Sequence, residues 1–158
     1  MKEVKVLMVC LGNICRSPLA ERILAKKCEH LNVKVNSAGT SAYHLGQAPD
    51  PRSKHIALIH NIPIDNHRAR QINKADLDNF DLIYAMDREN LKNILKLTDS
   101  DVQRKKVNLI RNNLSRKNID IPDPYFGGDE GFQEVYLMLE ELCEEIKNKI
   151  EKKHHVDR

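Results

Sequence analysis

A β-branched, nearly unbroken apolar run, Val4-Lys5-Val6-Leu7-Met8-Val9, leads straight into Cys10-Leu11-Gly12-Asn13-Ile14-Cys15-Arg16-Ser17-Pro18. No other stretch constrains the fold as strongly. A run of this kind fits a central strand of a parallel sheet, buried on both faces. Ser17 is placed to cap the next helix, and Pro18 to take its first position, where a missing N–H costs nothing. Ala20, Ile23, Leu24, Cys28 and Leu31 then keep helical spacing to about His30. Val33 to Ser37 is a second strand, ending in Ser37-Ala38-Gly39-Thr40. A β-α-β unit within about 37 residues is the opening of an open α/β sheet. The expected fold is therefore an open, twisted, mainly parallel four-stranded sheet with helices on both faces, a three-layer αβα arrangement.

The remaining pieces follow in order. Residues 40–52 hold the turn formers Gly46, Pro49 and Pro51 and read as a loop. Pro51 starts a helix reaching His60, and Lys74 to Asn79 is a short one. Phe80 to Met86 is the third strand, Arg88 to Leu97 a helix, and Val107 to Ile110 a short fourth strand. Ile121-Pro122-Asp123-Pro124-Tyr125-Phe126-Gly127-Gly128 is neither helix nor central strand. The last helix, roughly Glu130 to Lys152, carries a steady apolar stripe from Phe132 to Ile150. Residues 1–152 are expected to form a single domain, with 153–158 as a polar, frayed tail.

Composition narrows the function classes. The chain has 158 residues, 41% apolar and 31% charged, ordinary values for a globular protein. A net charge of +3 suits anionic substrates without indicating nucleic acid, and the few aromatics do not interleave with Lys and Arg. No apolar run is long enough for a membrane span, and Met1-Lys2-Glu3 leads into a strand rather than a signal peptide. A reducing, cytoplasmic setting is expected, and the four cysteines form no regular disulfide framework.

The chemistry sits at the carboxyl end of the first strand, where open α/β sheets bind ligands. The loop from Leu11 to Arg16 can turn its N–H groups inward as an anion nest, and the next helix aims its positive end at the same point. Gly12 permits close backbone approach, Asn13 tolerates a positive φ, and Arg16 offers a planar fork matched to two phosphate oxygens. A thiol facing a helix N-terminus and an arginine is favoured as its nucleophilic thiolate, which makes Cys10 the candidate nucleophile. Ser17 can hydrogen-bond that sulfur and ease its departure. A Walker-type loop is excluded, since no Gly-Lys-Ser/Thr is present, and a metal site is poorly supported because Cys10 and Cys15 lack well-spaced partners. A thiolate attacking phosphorus needs an acid for the leaving oxygen. Asp123, between Pro122 and Pro124, is the best placed, although Asp-Pro also marks an ordinary turn.

These residues resemble the low-molecular-weight protein tyrosine phosphatases. The family's Cys-x5-Arg-Ser signature stands as Cys10 to Ser17, and its Asp-Pro-Tyr acid loop as Asp123-Pro124-Tyr125. Ser37-Ala38-Gly39, Pro49-Asp50-Pro51-Arg52, His67-Arg68-Ala69-Arg70-Gln71-Ile72 and Ala85-Met86-Asp87 lie between them in family order. The resemblance implies a metal-free reaction with no cofactor. Cys10 attacks an aryl phosphate, Arg16 and the loop amides (Leu11, Gly12, Asn13, Ile14, Cys15) with Ser17 bind the phosphate, and Asp123 serves as acid and then base. It further implies that Ser37 and His67 hold Asn13 in its left-handed shape and that Asp87 orients His67.

The same resemblance implies a deep slot for phosphotyrosine, walled by Leu11, Ile14, Tyr43, Tyr125 and Phe126. Phosphotyrosine proteins or small aryl phosphates would be the substrates, phosphate and vanadate the inhibitors, and a monomer or weak dimer the assembly. Arginine phosphatases of this fold have a threonine where Ile14 stands. Arsenate reductases of this fold need a cysteine pair near residues 80–95, where none occurs. Both remain alternatives, as does a silent phosphate-binding module. Cys15 is either a structural thiol beneath the loop or the partner that traps an oxidised Cys10 as a disulfide.

Overall fold

The computed structural model describes residues 2–113, 120–125 and 127–156. In chain order the elements are β1 (Val4–Cys10), α1 (Arg16–Lys27), β2 (Val33–Gly39), α2 (Pro51–Ile59), α3 (Lys74–Asn79), β3 (Leu82–Ala85), α4 (Arg88–Leu95), α5 (Asp101–Lys106), β4 (Val107–Leu109) and α6 (Asp129–Val156). The four strands form one parallel sheet in the order β2-β1-β3-β4. β1 is the central strand expected from its composition. Val6 and Met8 face one side and Leu7 and Val9 the other, all with no solvent exposure.

The two faces are covered by different helices. Val6 and Met8 pack with Leu19, Ile23 and Leu24 of α1, Ile56 of α2, and the α6 stripe from Phe132 to Ile150. Leu7 and Val9 pack with Leu77 of α3 and Ile94 of α4. This is the three-layer αβα arrangement. After β2 the chain crosses back past β1 to build β3. The carboxyl ends of β1 and β3 therefore flank a topological switch point, the crevice where such sheets bind ligands. Cys10 is the last residue of β1.

Several boundaries differ from the sequence expectation, each for a physical reason. α1 begins at Arg16 with Cys15 at its N-cap, so Ser17 is not the cap and Pro18 is the third helical residue rather than the first. Ser17 instead spends its hydroxyl on Cys10 and Asn13. Pro18 still falls in the first turn, whose N–H groups have no helical partner. β2 extends through Gly39 because Ser37, Ala38 and Gly39 pair with Met8, Val9 and Cys10. β4 stops at Leu109, and Ile110–Asn113 tighten into a 3-10 turn. The backbone of residues 153–156, expected to fray, continues α6 as helix.

Candidate active site

β1 delivers Cys10 and α1 delivers Arg16, and the loop between them wraps Cys10. The Asn13 amide donates to Cys10 Sγ at 3.3 Å, and the Ser17 hydroxyl lies 3.0 Å from the same sulfur. Asn13 makes the wrap possible by taking φ = 58°, one of the few residue types that does so cheaply. Its side chain is fully buried and fully used. Nδ2 donates to Ser17 Oγ at 2.8 Å and Ser37 Oγ at 3.0 Å, while Oδ1 accepts from the Arg70 amide at 2.9 Å. His67 Nε2 donates to the Asn13 carbonyl at 2.9 Å, which fixes the tautomer, since a carbonyl only accepts.

The network extends one residue further than the sequence suggested. Ser37 donates its single proton to Glu21 Oε1 at 2.7 Å, so its oxygen is left to accept from Asn13. Ser17 likewise accepts from Asn13, which leaves its own O–H to donate to Cys10. Two donors thus converge on Sγ, an arrangement suited to a sulfur that carries charge and later leaves. Glu21 was not legible in advance. It is a half-buried residue of α1 that no spacing links to Ser37, and only the packing of α1 on β2 brings the two together.

Arg16 is 2% exposed and anchored through one nitrogen. Its Nη1 donates to Asp87 Oδ2 at 2.6 Å and to the Ile121 carbonyl at 2.9 Å. Burial works against its charge. The negative field of Cys10 and the hydrogen bond and charge of Asp87 more than offset this, so the guanidinium is held above its ordinary value. Asp87 therefore does not orient His67 as expected. Its two oxygens go to Arg16 and to the Asn90 amide at the start of α4, and no hydrogen bond joins it to His67 among the described residues. The resemblance implied Asp87 as a support of the site, but its partner depends on which way the buried guanidinium turns.

Asp123 stands at the mouth, its Oδ2 3.6 Å from Arg16 Nη2 and its Oδ1 accepting from the Tyr125 amide at 3.1 Å. A cavity of about 330 Å³ runs down to Cys10 and Arg16 between Leu11, Ile14, Tyr43 and Tyr125, with Asp123 on its rim. Phe126 lies outside the described residues. A further wall residue is His44, whose ring centroid is 5.7 Å from that of Tyr125 and whose Nδ1 is 2.9 Å from Gln47 Oε1. No spacing marks His44; the 40–52 loop must first fold over the cradle. Gly12 fits beneath it, since a Cβ there would stand 2.8 Å from His44 Cδ2.

Cys15 is buried, 4% exposed, packs into the core and also lines the cavity with Cys10. Burial, then the charges of Asp50 and Cys10, push its thiol well above the usual range.

The profile of the family described as low molecular weight phosphotyrosine protein phosphatase matches residues 5–156. The chain is 38% identical over 157 residues to the fission yeast Schizosaccharomyces pombe protein of that name, covering 94% of this chain and 98% of that one. It is 39% identical to the Homo sapiens protein of the same name over 143 residues, 87% of this chain and 90% of that one. A crystal structure of a protein tyrosine phosphatase from Entamoeba histolytica superposes with a TM-score of 0.90 at 36% identity, covering 96% of this chain and 99% of that one. Likeness of sequence and fold over nearly the full length places this chain in the low molecular weight phosphotyrosine protein phosphatase family, a family of hydrolases.

Proposed function

We propose that this chain hydrolyses aryl phosphate monoesters, phosphotyrosine in proteins foremost, through a phosphocysteine intermediate on Cys10. One observation carries the reading: a buried sulfur with two donors aimed at it lies at the floor of an apolar slot, beside a buried arginine and below a carboxylate. In the first step Cys10 Sγ attacks phosphorus and the bond to the aryl oxygen breaks. Asp123 gives its proton to that oxygen, so a neutral phenol leaves. The Nε–Nη2 edge of Arg16 and the loop amides bind the equatorial oxygens as charge redistributes. In the second step Asp123, now a carboxylate, takes a proton from water as the water attacks phosphorus. The S–P bond breaks, and Ser17 and Asn13 receive the departing sulfur. Orthophosphate is the product, and no metal or cofactor enters the balance.

The supporting reading assigns Ser37, His67 and Glu21 to Asn13, and Asp87 to Arg16. Leu11, Ile14, Tyr43 and Tyr125 give the slot walls that favour a phenyl ring. Oxyanions such as phosphate and vanadate should compete for the cradle, and the chain should act as a monomer or weak dimer. No helix among the described residues is long and apolar enough to cross a membrane. Cytoplasmic action fits the four cysteines, all of which are free thiols. Turnover of phosphotyrosine peptides without added metal, inhibited by vanadate, tests the proposal. A preference for phosphoarginine peptides, or reduction of arsenate, would replace it.

Asp123→Ala is expected to lower kcat/KM for phenyl phosphate by about 10²- to 10³-fold, the usual contribution of a general acid. The loss for para-nitrophenyl phosphate should be smaller, since nitrophenolate leaves without help. An equal loss for both substrates would remove Asp123 from the acid role.

Cys15 is proposed as the redox partner of Cys10. Peroxide converts Cys10 to a sulfenic acid, and the Cys15 thiol condenses with it, releasing water and forming the disulfide. Because burial keeps Cys15 a neutral thiol, Cys10 is the one oxidised first. After mild peroxide, dithiol should restore wild type but recover Cys15→Ser less completely. Equal recovery of both proteins counts against the pairing.

A further inference from the structure

The two halves of the active site are far apart in sequence, and one side chain outside the slot holds the acid loop directly and is tied to the phosphate cradle through Asp50. Arg52 lies in the first turn of α2, directly after Pro51. Its Nε and Nη2 form a two-pronged contact with Asp50, at 3.1 and 3.0 Å. Nη1 also donates to the Gly127 carbonyl at 2.7 Å, and Nη2 to the Tyr125 carbonyl at 2.8 Å. The guanidinium carbon sits 4.5 Å above the ring of Phe132, which is fully buried at the start of α6. Asp50 is tied in turn to the phosphate cradle, since its amide donates to the Ile14 carbonyl at 2.9 Å. Burial works against the Asp50 charge, but the hydrogen bonds and charge of Arg52 more than offset it and hold the carboxyl below its ordinary range.

The line of contacts ends at the acid. Tyr125 offers its carbonyl to Arg52 and its N–H to Asp123 Oδ1. These two groups belong to successive peptide planes joined at the Tyr125 Cα, so anchoring the carbonyl narrows the directions from which the N–H can hold the carboxylate through the one φ/ψ pair between them. We propose that Arg52 is a positioning residue for the acid step, setting Asp123 over the leaving oxygen from outside the slot without touching substrate. Its planar fork is needed, because two carbonyls and a carboxylate lie in different directions around one cation. A lysine keeps the charge near Asp50 but cannot hold all three. The inference rests on the acid role proposed for Asp123.

The test is a double-mutant cycle read with leaving groups of different quality. Arg52→Lys and Arg52→Gln are each made alone and together with Asp123→Ala, and kcat/KM is measured for phenyl and para-nitrophenyl phosphate. Vanadate inhibition reports whether the cradle is intact. Each Arg52 variant alone is expected to lose about 10-fold on phenyl phosphate, as a misplaced catalytic group does, and clearly less on para-nitrophenyl phosphate. In the Asp123→Ala background the same substitutions should cost about 2-fold or less, because there is no acid left to place. Equal losses in both backgrounds, equal losses on both substrates, wild-type rates, or loss of vanadate binding in both Arg52 variants would each overturn the proposal. Failure of Asp123→Ala itself to show a leaving-group effect would instead remove the acid role on which it rests.

Discussion

Cys10→Ser is expected to abolish turnover, by about 10⁴-fold or more, while leaving affinity for inorganic phosphate within a few-fold of wild type. The size follows from replacing an activated nucleophile whose partners remain in place. A hydroxyl on the same carbon is a much weaker nucleophile, and the donors aimed at the sulfur, the Asn13 amide and the Ser17 hydroxyl, cannot make up the difference. Those donors can still satisfy a serine oxygen, so the cradle should keep its shape. Rates with para-nitrophenyl phosphate and phosphate binding by calorimetry check the two halves separately. Retention of even one-hundredth of the activity would mean that some other group attacks phosphorus.

Arg16→Lys is expected to lower kcat/KM by about 10²- to 10³-fold, roughly 3–4 kcal/mol in the barrier, and to weaken phosphate binding as well. Charge alone does not meet the geometry. Arg16 holds Asp87 and the Ile121 carbonyl through Nη1, and in the proposed reaction its other edge must bind the phosphate oxygens. A single ammonium in the same buried place can serve one set of partners or the other. The thermal midpoint separates binding from folding: Arg16→Lys should retain most of its stability because Asp87 keeps a cation beside it. Arg16→Met should be less stable, with Asp87 left unpaired. A lysine variant within tenfold of wild type would show that the fork is dispensable.

What could be read from the chain in advance was whatever depends on near neighbours. β1, the loop and the start of α1 carry their own local signals, and so do the helix at Pro51, capped by Asp50, and the long stripe of α6. α5 could not be seen, because none of its residues is buried and so no apolar period marks it. The floor and mouth of the site were legible for the same reason as β1: Cys10, Asn13, Arg16 and Ser17 lie within one loop, and Asp123 is bracketed by prolines. The supports were harder. Asp87 could be placed near the site, but its choice of Arg16 over His67 is decided by how a buried guanidinium packs. Glu21, His44 and Arg52 act through contacts made only when α1, the 40–52 loop and α2 come to rest against distant elements.

The ties of the cradle also bear on when it can exist. Asn13 is held by Ser37, His67 and Arg70, and Arg16 by Asp87 and Ile121, the last partner 105 residues away in sequence. An unfolded or half-folded chain brings none of these together, so it has the signature but no cradle. Oxyanions then bind the native state alone and draw the folding equilibrium toward it. A ligand at a hundred times its dissociation constant adds about 2.7 kcal/mol of stability in this way. Ambient phosphate, the product of the proposed reaction, would thus also act as a folding ligand for the protein that makes it.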